Sequence, residues 1–235
     1  MTGLLISYDG MSAENSFFWL HIKKCGGESF RKTFTPPYVQ TERIKNPKPF
    51  IATPKSEWND LLNTFKIPLG EYDFKRMLFA KKFLYSGDVF NRMFKFVIVR
   101  NPYDRAVSAW KYLMREEQYH PKYIRMKNSL YEFLSALPEI WDLRYDRHIA
   151  THTAPIWPDI TDEQGNLLVD AIFKLENIDE EIKILSEKLG VDVEKFEHIN
   201  KNRDNTEYRS FYDEEAKNLL ETLYKEDIQN LHYTF

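Results

Sequence analysis

Residues 94–110 read FKFVIVRNPYDRAVSAW. The first part, Phe94 to Arg100, is apolar throughout its centre, as a parallel strand covered on both faces must be. Asn101-Pro102 follows, an N-cap residue with proline at the first helical position, where its missing N–H and fixed φ cost nothing. A helix is therefore predicted over YDRAVSAWKYLMREE. A buried strand running straight into a capped helix is the unit of an α/β sheet, and such sheets bind ligands at the carboxyl ends of their strands. Arg100 stands at that end.

Working outward, residues 17–22 (FFWLHI) form a second apolar run that ends in Lys-Lys-Cys-Gly-Gly, a strand entering a tight loop. ESFRKTF lacks breakers and opens a helix. Six of the eleven prolines fall in 36–70, so that stretch is predicted to be irregular, with one helical piece around SEWNDLLNTF. FLYS (83–86) reads as a short strand stopped at Gly87. Downstream, SLYEFLSALP starts a helix with Ser129 and Glu132 at capping-box spacing, and AIFKL (171–175) reads as a strand. A helix over 178–189 is closed by Gly190. A last helix over 213–230 carries Ala216, Leu219, Leu220, Leu223 and Tyr224 on one face. Strands alternating with helices predict an α/β fold: one domain over 1–235 with a central, mostly parallel sheet flanked by helices.

Composition narrows the class. Of 235 residues, 33 are basic and 36 acidic, a net charge of −3, which argues against a polycation built for nucleic acid. The single cysteine, Cys25, excludes an internal disulfide framework and a multi-cysteine metal site. No apolar run approaches the ~18 residues of a membrane span, and MTGLLISYDGMSAENS does not read as a secretory signal. A soluble intracellular protein is expected.

Two stretches carry chemistry. In His21-Ile22-Lys23-Lys24-Cys25-Gly26-Gly27-Glu28-Ser29-Phe30, a strand, a basic glycine turn and a helix start converge as an anion site. Backbone N–H groups and the helix N-terminus supply donors there, glycines allow close approach and lysine supplies charge. A nucleoside-triphosphate loop would place its lysine after the glycines, as GxxxxGK[ST], and here the lysines come first. The alternative is a surface turn with two solvated lysines. In the second stretch Arg100 and the hydroxyl of Ser108 make a further phosphate site, the alternative being a structural ion pair of Arg100 with Asp104.

Together the two stretches resemble the PAPS-dependent sulfotransferases of the carbohydrate type, whose PKTGGTS-like loop and RdPxxRxxSxY-like strand-helix occur in this order. AIFKLENIDEEIKILSEKLGV and the segment from Ile199 to Phe235 extend the resemblance over roughly 17–235. The resemblance implies a P-loop-NTPase-like sulfotransferase fold and transfer of a sulfuryl group from PAPS to an acceptor hydroxyl, without a metal. It implies that Lys24 lies beside the sulfuryl group and stabilises the departing phosphate. Lys23, Cys25, Gly26, Gly27, Glu28 and Ser29 complete the 5′-phosphosulfate loop, Arg100 and Ser108 take the 3′-phosphate, and Arg203 closes on the cofactor from a later loop. The chain departs from the family pattern at Lys23 for proline, at Cys25, and at Glu28 for threonine, whose carboxylate must turn away toward Arg31 or Lys32.

A base must remove the acceptor's proton. Where relatives carry a YHGH-like stretch this chain reads Tyr85-Ser86-Gly87-Asp88, which makes Asp88 one candidate; His148 and His152 are the others. The acceptor is expected to be a saccharide or a small secondary metabolite, with Trp58, Trp141, Trp157 and Tyr131 available to stack on it or to pack the core. The Golgi relatives have a membrane anchor and disulfides; their absence here points to a cytoplasmic, bacterial enzyme that engages neither membrane nor nucleic acid. Two other readings stand beside this one: a nucleoside-triphosphate-dependent transferase, and a nucleotide-binding module without turnover.

Overall fold

The computed structural model describes residues 17–34, 49–52, 58–115, 123–143, 146–190, 192–199 and 207–235. Three strands are present among them: β1 (Phe17–Leu20), β2 (Phe94–Val99) and β3 (Ala171–Lys174). The helices, in chain order, begin with α1 (Gly27–Phe34), α2 (Trp58–Thr64), α3 (Arg76–Phe79), α4 (Gly87–Arg92) and α5 (Pro102–Leu113). They continue with α6 (Leu130–Leu143), α7 (Arg147–Thr153), α8 (Trp157–Ile160), α9 (Ile178–Leu189), α10 (Glu214–Leu223) and α11 (Lys225–Asn230). The chain divides into two compact units, Met1–Val99 with Pro158–Asn200, and Arg100–Trp157 with Lys201–Phe235.

The first unit holds the sheet. β2 lies in the middle and pairs in parallel with both neighbours, Phe17 opposite Phe94 and Phe96 opposite Ala171. The expected parallel α/β sheet flanked by helices is found, and its residues explain it. Strand side chains alternate between faces. Phe17 and Trp19 of β1, Phe96 and Ile98 of β2 and Phe173 of β3 join Phe30 and Phe34 of α1 with Ile178, Ile182, Leu185 and Leu189 of α9 in one core. On the other face Phe18 meets the edge of Tyr85. Each of these large apolar side chains contributes roughly 1.5–3 kcal/mol by leaving water.

The second unit is helical among its described residues. Asn101 caps α5 as its sequence predicts, its side chain accepting the Tyr103 N–H at 3.0 Å. Ser129 Oγ accepts the Glu132 N–H at 3.1 Å at the start of α6. Asp227, fully buried, accepts the backbone N–H groups of Ile156 and Trp157 and ties α11 to the segment before α8.

Two expectations are corrected. FLYS (83–86) is not a strand: Arg76–Phe79 is α-helical, Ala80–Leu84 continues it as a wider π-type turn, and Gly87 starts α4. A four-residue apolar run does not separate helix from strand, and here Met77, Leu78, Ala80 and Leu84 are buried at helical spacing while Phe83 faces solvent. The helix over 213–230 is interrupted at Tyr224 (φ −113°, ψ 27°). Tyr224 is held there by its hydroxyl, which donates to the Thr153 carbonyl at 2.6 Å.

Candidate functional site

β1 stops pairing at Leu20, and the chain turns through residues 21–26 into α1. Lys24 (φ 67°) and Gly26 (φ 75°) are both left-handed, with Cys25 buried between them. Alternation of this kind turns successive backbone N–H groups toward one point, a nest for an anion. A non-glycine residue in this conformation costs about 1–2 kcal/mol, so Lys24 is held there by its surroundings. Gly26 needs its own freedom, since a Cβ would also lie 2.6 Å from Leu175 Cδ1. At Gly27 the requirement is close approach: a Cβ would sit 1.9 Å from Nε2 of the His21 ring.

The first turn of α1 adds N–H groups that have no acceptor within the helix. Glu28 is exposed in that turn, where a carboxylate complements the helix dipole. Lys32 pairs with Glu197 at 3.2 Å, and the Arg31 guanidinium lies over the Trp19 ring. Ser29 is buried and its hydroxyl is engaged by Ile199, accepting that residue's N–H at 2.9 Å and donating to its carbonyl at 3.3 Å. What Ser29 offers to the loop in this structure is its backbone N–H.

Beneath the loop, the His21 N–H donates to Asn63 Oδ1 (2.9 Å) and the His21 carbonyl accepts from Arg76 Nη1 (3.1 Å). Arg76 is buried against Asp159, with Nη2 at 2.6 Å and Nε at 2.9 Å from Oδ2. The Phe65 ring lies 4.0 Å from the guanidinium of Arg76 and 5.3 Å from Lys23 Nζ. No local spacing in the sequence marks Asn63 or Arg76, which lie 42 and 55 positions from His21. Asp88, also in this unit, is exposed in the first turn of α4, its carbonyl accepting from Arg92 Nε at 3.2 Å.

In the second unit Arg100 immediately precedes α5. Its Nε and Nη2 reach Asp104 Oδ2 at 2.8 and 2.7 Å, so the ion pair weighed from sequence is present. Asp104, Ser108 and Tyr112 recur every fourth residue along α5 and share one face of it. At the far end of that stripe the Tyr112 ring stacks on His152 (5.0 Å between centroids, 25°), and the His148 ring lies 4.6 Å from that of His152.

His148 is exposed and His152 is buried. His152 Nδ1 is 2.7 Å from the His148 carbonyl, which only accepts, so Nδ1 carries a proton. Arg105, buried, donates to the carbonyls of Ala154 (2.9 Å) and His152 (3.4 Å) and holds this helix end. Trp58 and Trp141 spend their indole N–H groups on the Phe50 carbonyl and Thr153 Oγ1, whereas Tyr131 is exposed. Arg203 lies outside the described residues.

The structure thus gathers Lys23 to Ser29 in the first unit, and places Arg100, Ser108, His148 and His152 on α5, its approach and α7 in the second. Among the described residues, no group of three His, Cys, Asp or Glu side chains is arranged to hold a metal ion, and no helix is long and apolar enough to cross a membrane.

A family model described as "Sulfotransferase family" matches residues 10–234. A crystal structure of a sulfotransferase from Alicyclobacillus acidocaldarius is similar in fold, with a TM-score of 0.53 over 94% of this chain and 97% of that one at 16% identity. No curated protein matches the sequence.

Proposed function

The chain belongs to the sulfotransferase family, and from that premise we propose that it takes the sulfuryl group of PAPS and passes it to an acceptor hydroxyl, leaving adenosine 3′,5′-bisphosphate. The observation that carries this reading is the cradle at 24–29, in which left-handed Lys24 and Gly26 lead into the N-terminus of α1, a backbone arrangement suited to an anion. Lys23 and Lys24 add positive charge, and Lys24 stabilises the charge that develops on the departing phosphate oxygen. Gly27 lets the His21 ring pack against the turn and so keeps the cradle's shape. Arg100 and Ser108 receive the 3′-phosphate, with Asp104 holding the guanidinium until the ligand competes for it. Arg203 is assigned to the same donor on the sequence resemblance.

For the base, the geometry supports His152 above His148 and Asp88. Its ring is held at Nδ1 by the His148 carbonyl and at its face by Tyr112, so the imidazole has a defined orientation, which a base requires. The acceptor is assigned to the saccharides on the sequence resemblance, and a screen with PAPS against saccharides and small phenols decides it.

The direct test of the donor is a thermal-shift comparison of adenosine 3′,5′-bisphosphate, adenosine 5′-monophosphate and ATP–magnesium. At a hundred times its dissociation constant a ligand adds about 2.7 kcal/mol. Stabilisation by the bisphosphate, and not by the other two, is the expected result. A shift with ATP–magnesium alone, or none with the bisphosphate, would remove the PAPS assignment.

A further inference from the structure

At Leu20 the chain leaves the sheet, so His21 must find partners elsewhere for a buried peptide group. Two side chains supply them. Asn63 Oδ1, from α2, takes the His21 N–H, and Arg76 Nη1, from α3, gives to the His21 carbonyl. The same Asn63 donates through Nδ2 to the Trp19 carbonyl at 2.8 Å, so it follows the strand two residues further back. These side chains act as a substitute for a neighbouring strand along the last stretch before the lysine loop.

We propose that Asn63 and Arg76, with Asp159 behind Arg76, are positioning residues that hold the loop 21–27 in its anion-receiving shape; this rests on the donor-site reading of that loop. Arginine suits the place because its fork points in several directions at once. Nε and Nη2 are committed to Asp159, and Nη1 reaches both the His21 carbonyl and, at 3.3 Å, Asn63 Oδ1. Asp159 also accepts the Arg76 backbone N–H at 2.7 Å, which fixes the start of α3. A buried ion pair is a weak source of stability, because desolvation offsets its attraction; what it supplies is a fixed direction. Arg76 extends its hold to Lys23 through Phe65, whose ring takes the guanidinium at 4.0 Å and the Lys23 ammonium at 5.3 Å. Three residues beyond His21 the chain adopts the left-handed turn at Lys24, a conformation that persists only where neighbouring structure imposes it.

The test uses Arg76→Lys, which keeps the charge and loses the fork, and Asn63→Ser, which leaves Arg76 and Asp159 paired should the first variant not fold. Amide hydrogen exchange is measured across 21–30 and across β2, and binding is measured for adenosine 3′,5′-bisphosphate and adenosine 3′-monophosphate. The expected result is faster exchange confined to 21–27, with bisphosphate affinity down by about tenfold, the size of one charge-assisted contact, and the 3′-monophosphate unchanged. A purely structural role would weaken both ligands alike and raise exchange in β2 as well, and that outcome overturns the proposal. Unchanged exchange in 21–27 overturns it too, as does local loosening that leaves the bisphosphate's advantage intact. If the wild-type protein binds neither nucleotide, the donor-site reading fails, and exchange alone then decides whether this network holds the loop.

Discussion

Lys24 and Arg100 are held in place by different means, and the difference predicts how each variant behaves. Lys24 is fixed through its backbone, in a left-handed turn whose neighbours leave no space at Gly27. Its backbone is therefore set before any ligand arrives, and under the proposed donor site such a preset residue serves the transition state more than the ground state. Lys24→Ala is expected to cut turnover by about 10²–10³-fold, the range for loss of one transition-state donor, with a smaller loss in bisphosphate affinity. Equal losses in rate and affinity, measured by steady-state kinetics beside calorimetry, would remove that role. Arg100 is fixed through its side chain, in an ion pair with Asp104 that the proposed 3′-phosphate would have to displace. Arg100→Ala should cost bisphosphate affinity by about 1.5–3 kcal/mol. Unchanged binding would take Arg100 out of the site.

The start of α5 joins that arginine to the rest of its unit. Asn101 caps the helix through Oδ1, and its Nδ2 donates to the Thr234 carbonyl at 3.0 Å. Asn101→Ala is expected to lower stability by about 1 kcal/mol through the lost cap, read as a shift in the urea midpoint; a shift within error would show the cap to be dispensable. This junction was legible in the sequence, because a cap and a proline at the first helical position are local signals. So were β2, the capping residue Ser129 and the left-handed stop at Gly190, each decided by neighbours within a few positions. FLYS was misread because its four residues carry no period long enough to separate helix from strand. The break at Tyr224 depends on a bond to Thr153, 71 positions away, which no local pattern contains. The site divides in the same way. The lysine–glycine turn stands out in the sequence as a turn, whereas the grip of Asn63 and Arg76 on His21, the Ser29–Ile199 bond and the fixed ring of His152 arise only from the fold.

Stability of the folded chain carries a signature of one buried acid. Asp227 is shut away from water at the centre of three backbone contacts, to Ile156 at 2.9 and 2.8 Å and to Trp157 at 2.7 Å. Burial pushes its carboxyl up to about 6, aided by Glu226, although the two N–H groups and Arg105 act in the opposite direction. Because the folded form holds the proton more tightly than the unfolded chain, whose value is 3.8, protonation favours folding. This contribution is complete below the unfolded value and is lost as pH rises through about 6. Other carboxylates act in the reverse sense as acid accumulates, so the comparison is made against Asp227→Asn. That variant keeps an Oδ1 for the Ile156 and Trp157 N–H groups and removes the titration. Urea unfolding at pH 7 and pH 5 should show the wild type gaining about 1 kcal/mol on the variant between the two conditions. A gap that stays constant, or that moves toward the variant in acid, would mean that Asp227 remains ionised in the fold and that its backbone donors outweigh its burial.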